Sequence, residues 1–274
     1  MARLTARQRA QKKALSGQWE EALAEYEALE EGGDTAANAA LAELAAYQGR
    51  WKDVTRYASA ILREPQSIQT LNVYDDMVQL VALAGLKQRK WAPMKKLAEA
   101  ALAELDEDDR ESGHGGAVEG LIEFAAAKGK ASTGWPTHGW DTRSEDERIA
   151  KYDAAMNKLA KKKKKFKNAE AKLDYCVAVA DTCGYHEAAV ELYDETEALP
   201  NLFDLVLFIA TGLVLADRED EAWDVIVSRL DRWWPYEDTQ LVPVALLSNE
   251  TLRSLMTEER LEEVLATARG PEAG

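Results

Sequence analysis

The chain has 274 residues, of which 46% are hydrophobic and 30% are charged, a composition that is typical of a folded protein with a sizeable core. Forty-nine acidic residues against 34 basic ones give a net charge of −15. A negative field of this size disfavours nucleic acid and anionic membranes as partners and favours basic proteins. The charge therefore predicts no nucleic-acid partner, and the alternative is that it only keeps an elongated protein soluble.

The N-terminal segment, the most apolar stretch and the two cysteines of the sequence predict a cytoplasmic protein. The basic N-terminal segment lacks the apolar block of a secretory signal. The stretch 202–216 is shorter than the roughly 20 residues of a membrane span, so we expect a buried helix there and no membrane partner. Cys176 and Cys183 lie seven residues apart in one predicted helix, about 10 Å along its axis, which is too far for a disulfide.

A short phrase made of a turn, an aromatic residue and an alanine–leucine stripe recurs along the chain. In its first copy, Trp19, Ala22, Tyr26 and Leu29 share one helical face. We expect the tryptophans that recur in this register to belong to the core. The copies begin at Gly17, Gly49, Arg89, Gly184 and Arg218, and the predicted helices between them cover 35–48, 68–87, 170–182 and 202–216.

This phrase resembles the second helix of the tetratricopeptide repeat, in which an alanine is followed four residues later by an aromatic residue, with a proline at the end. Ala22 with Tyr26, and Ala189 with Tyr193, match that pattern, and Pro65 and Pro200 are among the closing prolines. The resemblance implies an all-α fold, an α-solenoid of about six helical hairpins. A HEAT-like or irregular helical array is the alternative.

The expected organisation has four parts. Residues 1–105 form three hairpins, 106–168 form a distorted fourth hairpin with a long loop, 169–235 form two more hairpins, and 236–274 form a tail that caps the last repeat. In the fourth hairpin we expect helices over 117–128 and 144–165, the second opened by a Ser144–Glu147 capping box. Thr257 is the expected N-cap of a tail helix.

The sequence lacks the usual signatures of metal and catalytic sites. His114, His138 and His186 each stand apart from a second ligand, and we expect them to be solvated. The acidic run 106–111 fails as a calcium loop, because Glu111 and Ala117 stand where a glycine and a bidentate glutamate are required. No phosphate-binding or dinucleotide motif occurs, so we expect no cofactor, no metal and no catalysis.

Two tryptophans, Trp135 and Trp140, flank His138 in the long loop. Such aromatic side chains can anchor a partner, or they can pack back on the scaffold, and the sequence leaves both interpretations open.

The resemblance also implies a concave groove lined by the first helix of each hairpin. Most of the side chains that it places there are acidic, which predicts a partner that presents a basic helix or a basic extended segment. The groove positions are Glu43, Tyr47, Asp76, Gln79, Asp174, Asp181 and Asp204.

The sequence therefore predicts a non-enzymatic scaffold or adaptor that binds a basic protein through an acidic groove. An immunity-type inhibitor that neutralises a basic toxin is a more specific alternative, and it rests on charge alone. An enzyme with its site in 106–143, using His114 and His138, is the alternative from another class. The sequence leaves the oligomeric state open.

Overall fold

The computed structural model describes residues 4–107, 110, 113–130, 144–162, 165–196 and 198–270. Within these ranges the regular structure is entirely helical, with no strand, and consecutive helices pack in pairs. The predicted all-α fold of helical repeats is confirmed. The chain divides into unit 1, made of Met1–Trp140 and Pro235–Gly274, and unit 2, Asp141–Trp234.

The helices are numbered along the chain. The first part of unit 1 contains α1 (Ala6–Leu15), α2 (Trp19–Glu31), α3 (Ala37–Tyr47), α4 (Trp51–Arg63), α5 (Leu71–Gln88), α6 (Trp91–Glu104) and α7 (Gly113–Ala126). Unit 2 contains α8 (Glu145–Lys162), α9 (Ala169–Cys183), α10 (His186–Thr196), α11 (Phe203–Leu215) and α12 (Glu219–Val227). Unit 1 then resumes with α13 (Ala245–Ser248), α14 (Glu250–Arg253) and α15 (Glu258–Ala266). Short 3₁₀ helices cover Pro65–Ser67 and Leu230–Arg232.

Unit 1 repeats one packing arrangement. Helices α1 and α2, α3 and α4, and α5 and α6 pack as pairs, while α3 also packs on α5 and α4 on α6. The first helices of the second and third pairs therefore lie side by side, as do the second helices. Alanine and branched side chains from the recurring stripe fill the space between them, including Ala22, Val54, Ala58 and Ala98, all fully buried.

The recurring turn has the same backbone in all five copies, across both units. One residue adopts a left-handed conformation, and the N–H of the next residue bonds to the carbonyl five residues earlier, which is the Schellman arrangement that ends a helix. The next helix begins one residue later. The left-handed residues are Gly17 (φ +84°), Gly49 (+67°), Arg89 (+53°), Gly184 (+65°) and Asp217 (+58°). The closing bonds join Gln18 to Lys13 (2.9 Å), Arg50 to Ala45 (2.8 Å), Lys90 to Gly85 (3.0 Å), Tyr185 to Ala180 (3.0 Å) and Arg218 to Leu213 (2.9 Å).

Several local predictions are confirmed. The Ser144–Glu147 capping box forms, with the Glu147 N–H donating to Ser144 Oγ (3.3 Å) and the Ser144 N–H to the Glu147 carboxylate (2.7 Å). The Thr257 hydroxyl accepts from the Arg260 N–H (3.2 Å) as the N-cap of α15. Helix α11 is buried along most of its length.

Three expectations are corrected. The predicted fourth hairpin does not form one repeat, because α7 packs on α5 and α6 in unit 1 while α8 packs on α9 in unit 2. The tail 236–274, expected on the last repeat, belongs to unit 1, where α15 packs on α3 and α13 on α5. Trp19, Trp51 and Trp91 are half-buried rather than in the core, since each is the first residue of its helix, where fewer neighbours surround it.

Gly17 and Gly49 occupy the same repeat position but differ in what lies beside them, which allows the packing of the tail to be tested. A left-handed alanine costs about 1–2 kcal/mol, and Gly49→Ala should lose about that much because a Cβ there meets nothing within 4 Å. At Gly17 a Cβ would lie 2.3 Å from the Ala266 carbonyl oxygen. We expect Gly17→Ala to lose roughly 1–3 kcal/mol more, measured by urea unfolding. Equal losses would show that α15 does not pack against this turn.

Candidate functional site

Helices α1, α3 and α5 form a surface, here called the first-helix face, that holds a non-helical stretch of the chain, residues 236–244, here called the tail segment. Side chains of this face and of the neighbouring α2 donate hydrogen bonds to main-chain carbonyls of the tail segment. These bonds run from Gln11 Nε2 to Glu237 (2.5 Å) and Gln240 (3.0 Å), from the Tyr26 hydroxyl to Asp238, and from the Tyr47 hydroxyl to Pro243 (2.9 Å).

Glu43 also binds the tail segment, but it accepts hydrogen bonds where the side chains above donate them. The side chain lies on α3 and is 0% exposed. Its Oε2 accepts the main-chain N–H groups of Leu241 (2.6 Å) and Val242 (3.2 Å). Burial raises the pKa of Glu43 well above its ordinary value, and the nearby charge of Asp76 raises it further, while the two N–H donors and Arg269 act in the other direction.

Arg269 is buried on the other side of the tail segment and is also 0% exposed. Its guanidinium donates to the carbonyl of Leu241 (2.7 Å) and to three carbonyls at the end of α15: Val264 (2.8 Å), Leu265 (3.1 Å) and Thr267 (3.0 Å). Burial lowers the pKa of Arg269 to about 10, so the group stays charged at neutral pH. Its main-chain N–H donates to the Leu15 carbonyl (2.8 Å), which joins the end of the tail to α1.

Polar side chains of the tail segment make further contacts with the rest of unit 1. Gln240 Nε2 donates to Asp76 Oδ2 on α5 (2.9 Å). The Glu237 carboxylate accepts the main-chain N–H groups of Gln69 (2.9 Å) and Thr70, just before α5 begins. The tail segment is thus bonded to residues of α1, α2, α3 and α5 and to the two residues that precede α5.

The structure corrects the expected exposure of two predicted groove residues. Glu43 and Tyr47 are buried beneath the tail segment, so a partner cannot contact them while that segment is in place. Asp76 is half-buried and bonded to Gln240, and Gln79 is half-buried on α5. The sequence itself indicates that α3 is buried. Residues 37–47 are apolar on every side of the helix apart from Asn38 and Glu43, and a helix of this kind is surrounded by other parts of the protein.

Unit 2 carries the other predicted groove residues. Asp174 and Asp181 lie seven residues apart, on one side of α9, and Asp181 is exposed. Asp174 accepts the main-chain N–H (2.8 Å) and the side-chain amide (3.2 Å) of Asn201. Asp204 is exposed in the first turn of α11, three residues after Asn201, so the structure brings Asp204 and Asp174 to the same end of this helix pair. We call Asp174, Asp181 and Asp204 the acidic patch.

The remaining predicted residues have mixed outcomes. Trp135, His138 and Trp140 lie outside the described residues, and the side chain of His114 does too. His186 is not solvated as expected, since its ring stacks on Phe208 with centroids 4.0 Å apart and its Nδ1 lies 3.2 Å from the Phe208 carbonyl. Burial lowers the pKa of His186, so the imidazole is neutral at pH 7.

In the described ranges no three His, Cys, Asp or Glu side chains are grouped so as to hold a metal ion, and no helix there has the length and apolar character needed to cross a bilayer. No protein-family model matches the chain, nor does any curated protein or solved structure with which it was compared.

The buried carboxyl of Glu43 makes the stability of unit 1 depend on pH. The pKa of Glu43 in the folded chain is higher than the ordinary carboxyl value of 4.5. The stability that protonation of Glu43 contributes is therefore fully present below pH 4.5 and is lost as the pH rises through the raised pKa. The free energy of unfolding falls by at most about 1.4 kcal/mol per pH unit over this range. Glu43→Gln keeps a carbonyl acceptor and removes this loss. We expect the free energy of unfolding of Glu43→Gln, relative to the parent chain, to increase from pH 5 to pH 8 in urea titrations.

Glu20→Gln is the matched control for this experiment, because Glu20 is exposed at the start of α2. Its difference from the parent chain should be the same at both pH values. A pH-independent difference for Glu43→Gln as well would mean that Glu43 keeps its ordinary pKa, and it would contradict the prediction.

Proposed function

We propose that this protein is a non-enzymatic scaffold that binds other proteins by receiving extended segments of polypeptide on its first helices. The observation that carries this proposal is the tail segment itself, which lies non-helical across the first-helix face and is held by side chains that bond to its main chain. The same arrangement of helical pairs resembles the tetratricopeptide repeat, for which binding of this kind is expected.

Main-chain recognition explains why such a face suits a binding role. The donors Gln11, Tyr26 and Tyr47 and the acceptor Glu43 contact groups that every peptide carries, so the shape of the segment matters more than its side chains. Specificity for one segment over another then comes from the few side chains of the segment that bond to side chains of the helices, as Gln240 does with Asp76.

For an external partner, we propose the acidic patch of unit 2 as the receiving surface. The first-helix face of unit 1 already holds the tail segment, whereas Asp181 and Asp204 are exposed. With a net charge of −15, the chain attracts basic segments over a distance, and such steering raises the association rate more than the final affinity. The proposed partner is a protein that presents a basic helix or a basic extended segment.

The two alternatives stay predictions. Inhibition of a basic toxin is one form of the proposed binding, and it requires a particular partner rather than a different surface. An enzymatic site in 106–143 would use His114 and His138, whose side chains lie outside the described residues, and no described residue adds to that alternative.

The acidic patch is tested with peptides selected for binding from a random displayed library, and with Asp181→Lys combined with Asp204→Lys. We expect selected peptides to carry net positive charge. We expect the double variant to lower their association rate at least tenfold at low salt, with a smaller change in the dissociation rate, measured by surface plasmon resonance. The loss should shrink at 0.15 M salt, where the screening length is about 8 Å.

Asp153→Lys combined with Asp224→Lys provides the control, because both residues are exposed in unit 2, on α8 and α12, and the change in net charge is identical. Association should fall less than threefold in this variant. Equal losses in the two double variants would assign the effect to overall charge, and selected peptides without net positive charge would contradict a basic partner.

A further inference from the structure

Unit 1 contains a pocket of about 430 Å³ between α4, α5 and α6, separate from the first-helix face. This volume falls in the range of small-molecule sites, roughly 300–1,000 Å³. The floor is apolar and includes Val81, Gly85 and Met94, of which Val81 and Met94 are nearly fully buried. The pocket can therefore enclose the apolar part of a ligand.

The charged side chains that line this pocket are all cationic. Lys52 and Arg63 reach it from α4, and Lys90 reaches it from the residue before α6; all three are exposed. None of the three forms an ion pair with another described residue. In a chain with 49 acidic and 34 basic residues, a pocket whose charged lining is entirely cationic stands out, and none of the described ion pairs involves these three side chains.

The start of α6 adds to this positive charge. Lys90 is the N-cap of α6, and Pro93 in its first turn also lines the pocket. The N-terminus of a helix carries a partial positive charge of about half a unit. An anionic group near Lys90 therefore lies close to the start of α6.

We propose that this pocket binds a small amphipathic carboxylate, with the apolar part on the Val81–Met94 floor and the carboxylate at the rim near Lys52 and Lys90, which lie at the starts of α4 and α6. The combination of an apolar floor and cationic side chains at the rim favours this chemical class. A neutral apolar ligand leaves the cations without a counter-ion, and a compact anion such as phosphate leaves the apolar floor exposed to water. The site is independent of the proposed protein-binding surface in unit 2, since it lies in unit 1 and carries the opposite sign of charge.

Three probes with the same eight-carbon chain test the charge preference: octanoate, octanol and octylammonium. Binding is followed by NMR titration of the full chain labelled at its methionine methyl groups, at low salt. We expect octanoate to bind and to shift the Met94 methyl signal, which is assigned from its loss in Met94→Leu. Octylammonium should bind at least tenfold more weakly, and octanol should lie between the two.

Lys52→Glu combined with Lys90→Glu tests the proposed cations. We expect octanoate to bind this variant at least tenfold more weakly. Lys96→Glu combined with Lys172→Glu is the matched control, because these exposed lysines do not line the pocket and the change in net charge is identical. Its affinity for octanoate should stay within twofold of the parent chain, and circular dichroism should be unchanged in both variants.

Four outcomes would overturn the proposal. These are no binding of octanoate, equal binding of octanoate and octylammonium, binding that leaves the Met94 methyl signal in place, or an equal loss of affinity in the two double variants. A glutamate-rich peptide that shifts Met94 while octanoate does not would assign the pocket to an acidic protein segment instead.

Discussion

Leu241 is held between two buried ionisable side chains, and the placement of the whole tail segment depends on this contact. Glu43 accepts its main-chain N–H, and Arg269 donates to its carbonyl. Burial of the charged form of either group costs of order several kcal/mol, and these bonds recover part of that cost. These bonds join Leu241 to α3 on one side and to the end of α15 on the other.

The local features of the fold were predictable because short stretches of sequence specify them. Gly17, Gly49 and Gly184 can take the left-handed conformation at little cost, and a helix end followed by a new helix results wherever the phrase recurs. Arg89 and Asp217 adopt the same left-handed backbone, so the turn forms in two of the five copies without glycine. Capping residues are equally local, since each bonds within three positions of itself.

The candidate site was only partly predictable, because it depends on contacts between residues far apart in sequence. The resemblance placed Glu43 and Tyr47 on the correct helix, but nothing local shows that 236–244 lies over them. That segment has no helical periodicity, and its bonds use main-chain groups, which leave no trace in residue identity. His186 and the pocket between α4, α5 and α6 were missed for a related reason, since side chains from different helices create both environments.

Unit 1 is discontinuous in sequence, and this has a consequence for how the protein is made. The carbonyl of Leu15 receives its hydrogen bond from the main-chain N–H of Arg269, so this bond cannot form until the ribosome has added all of unit 2 and most of the tail. During that interval Glu43 and the apolar surface of α3 are open to water, to chaperones and to proteases. Nascent chains that stop before residue 236 thus lack the main-chain groups that bond to Glu43 and Tyr47.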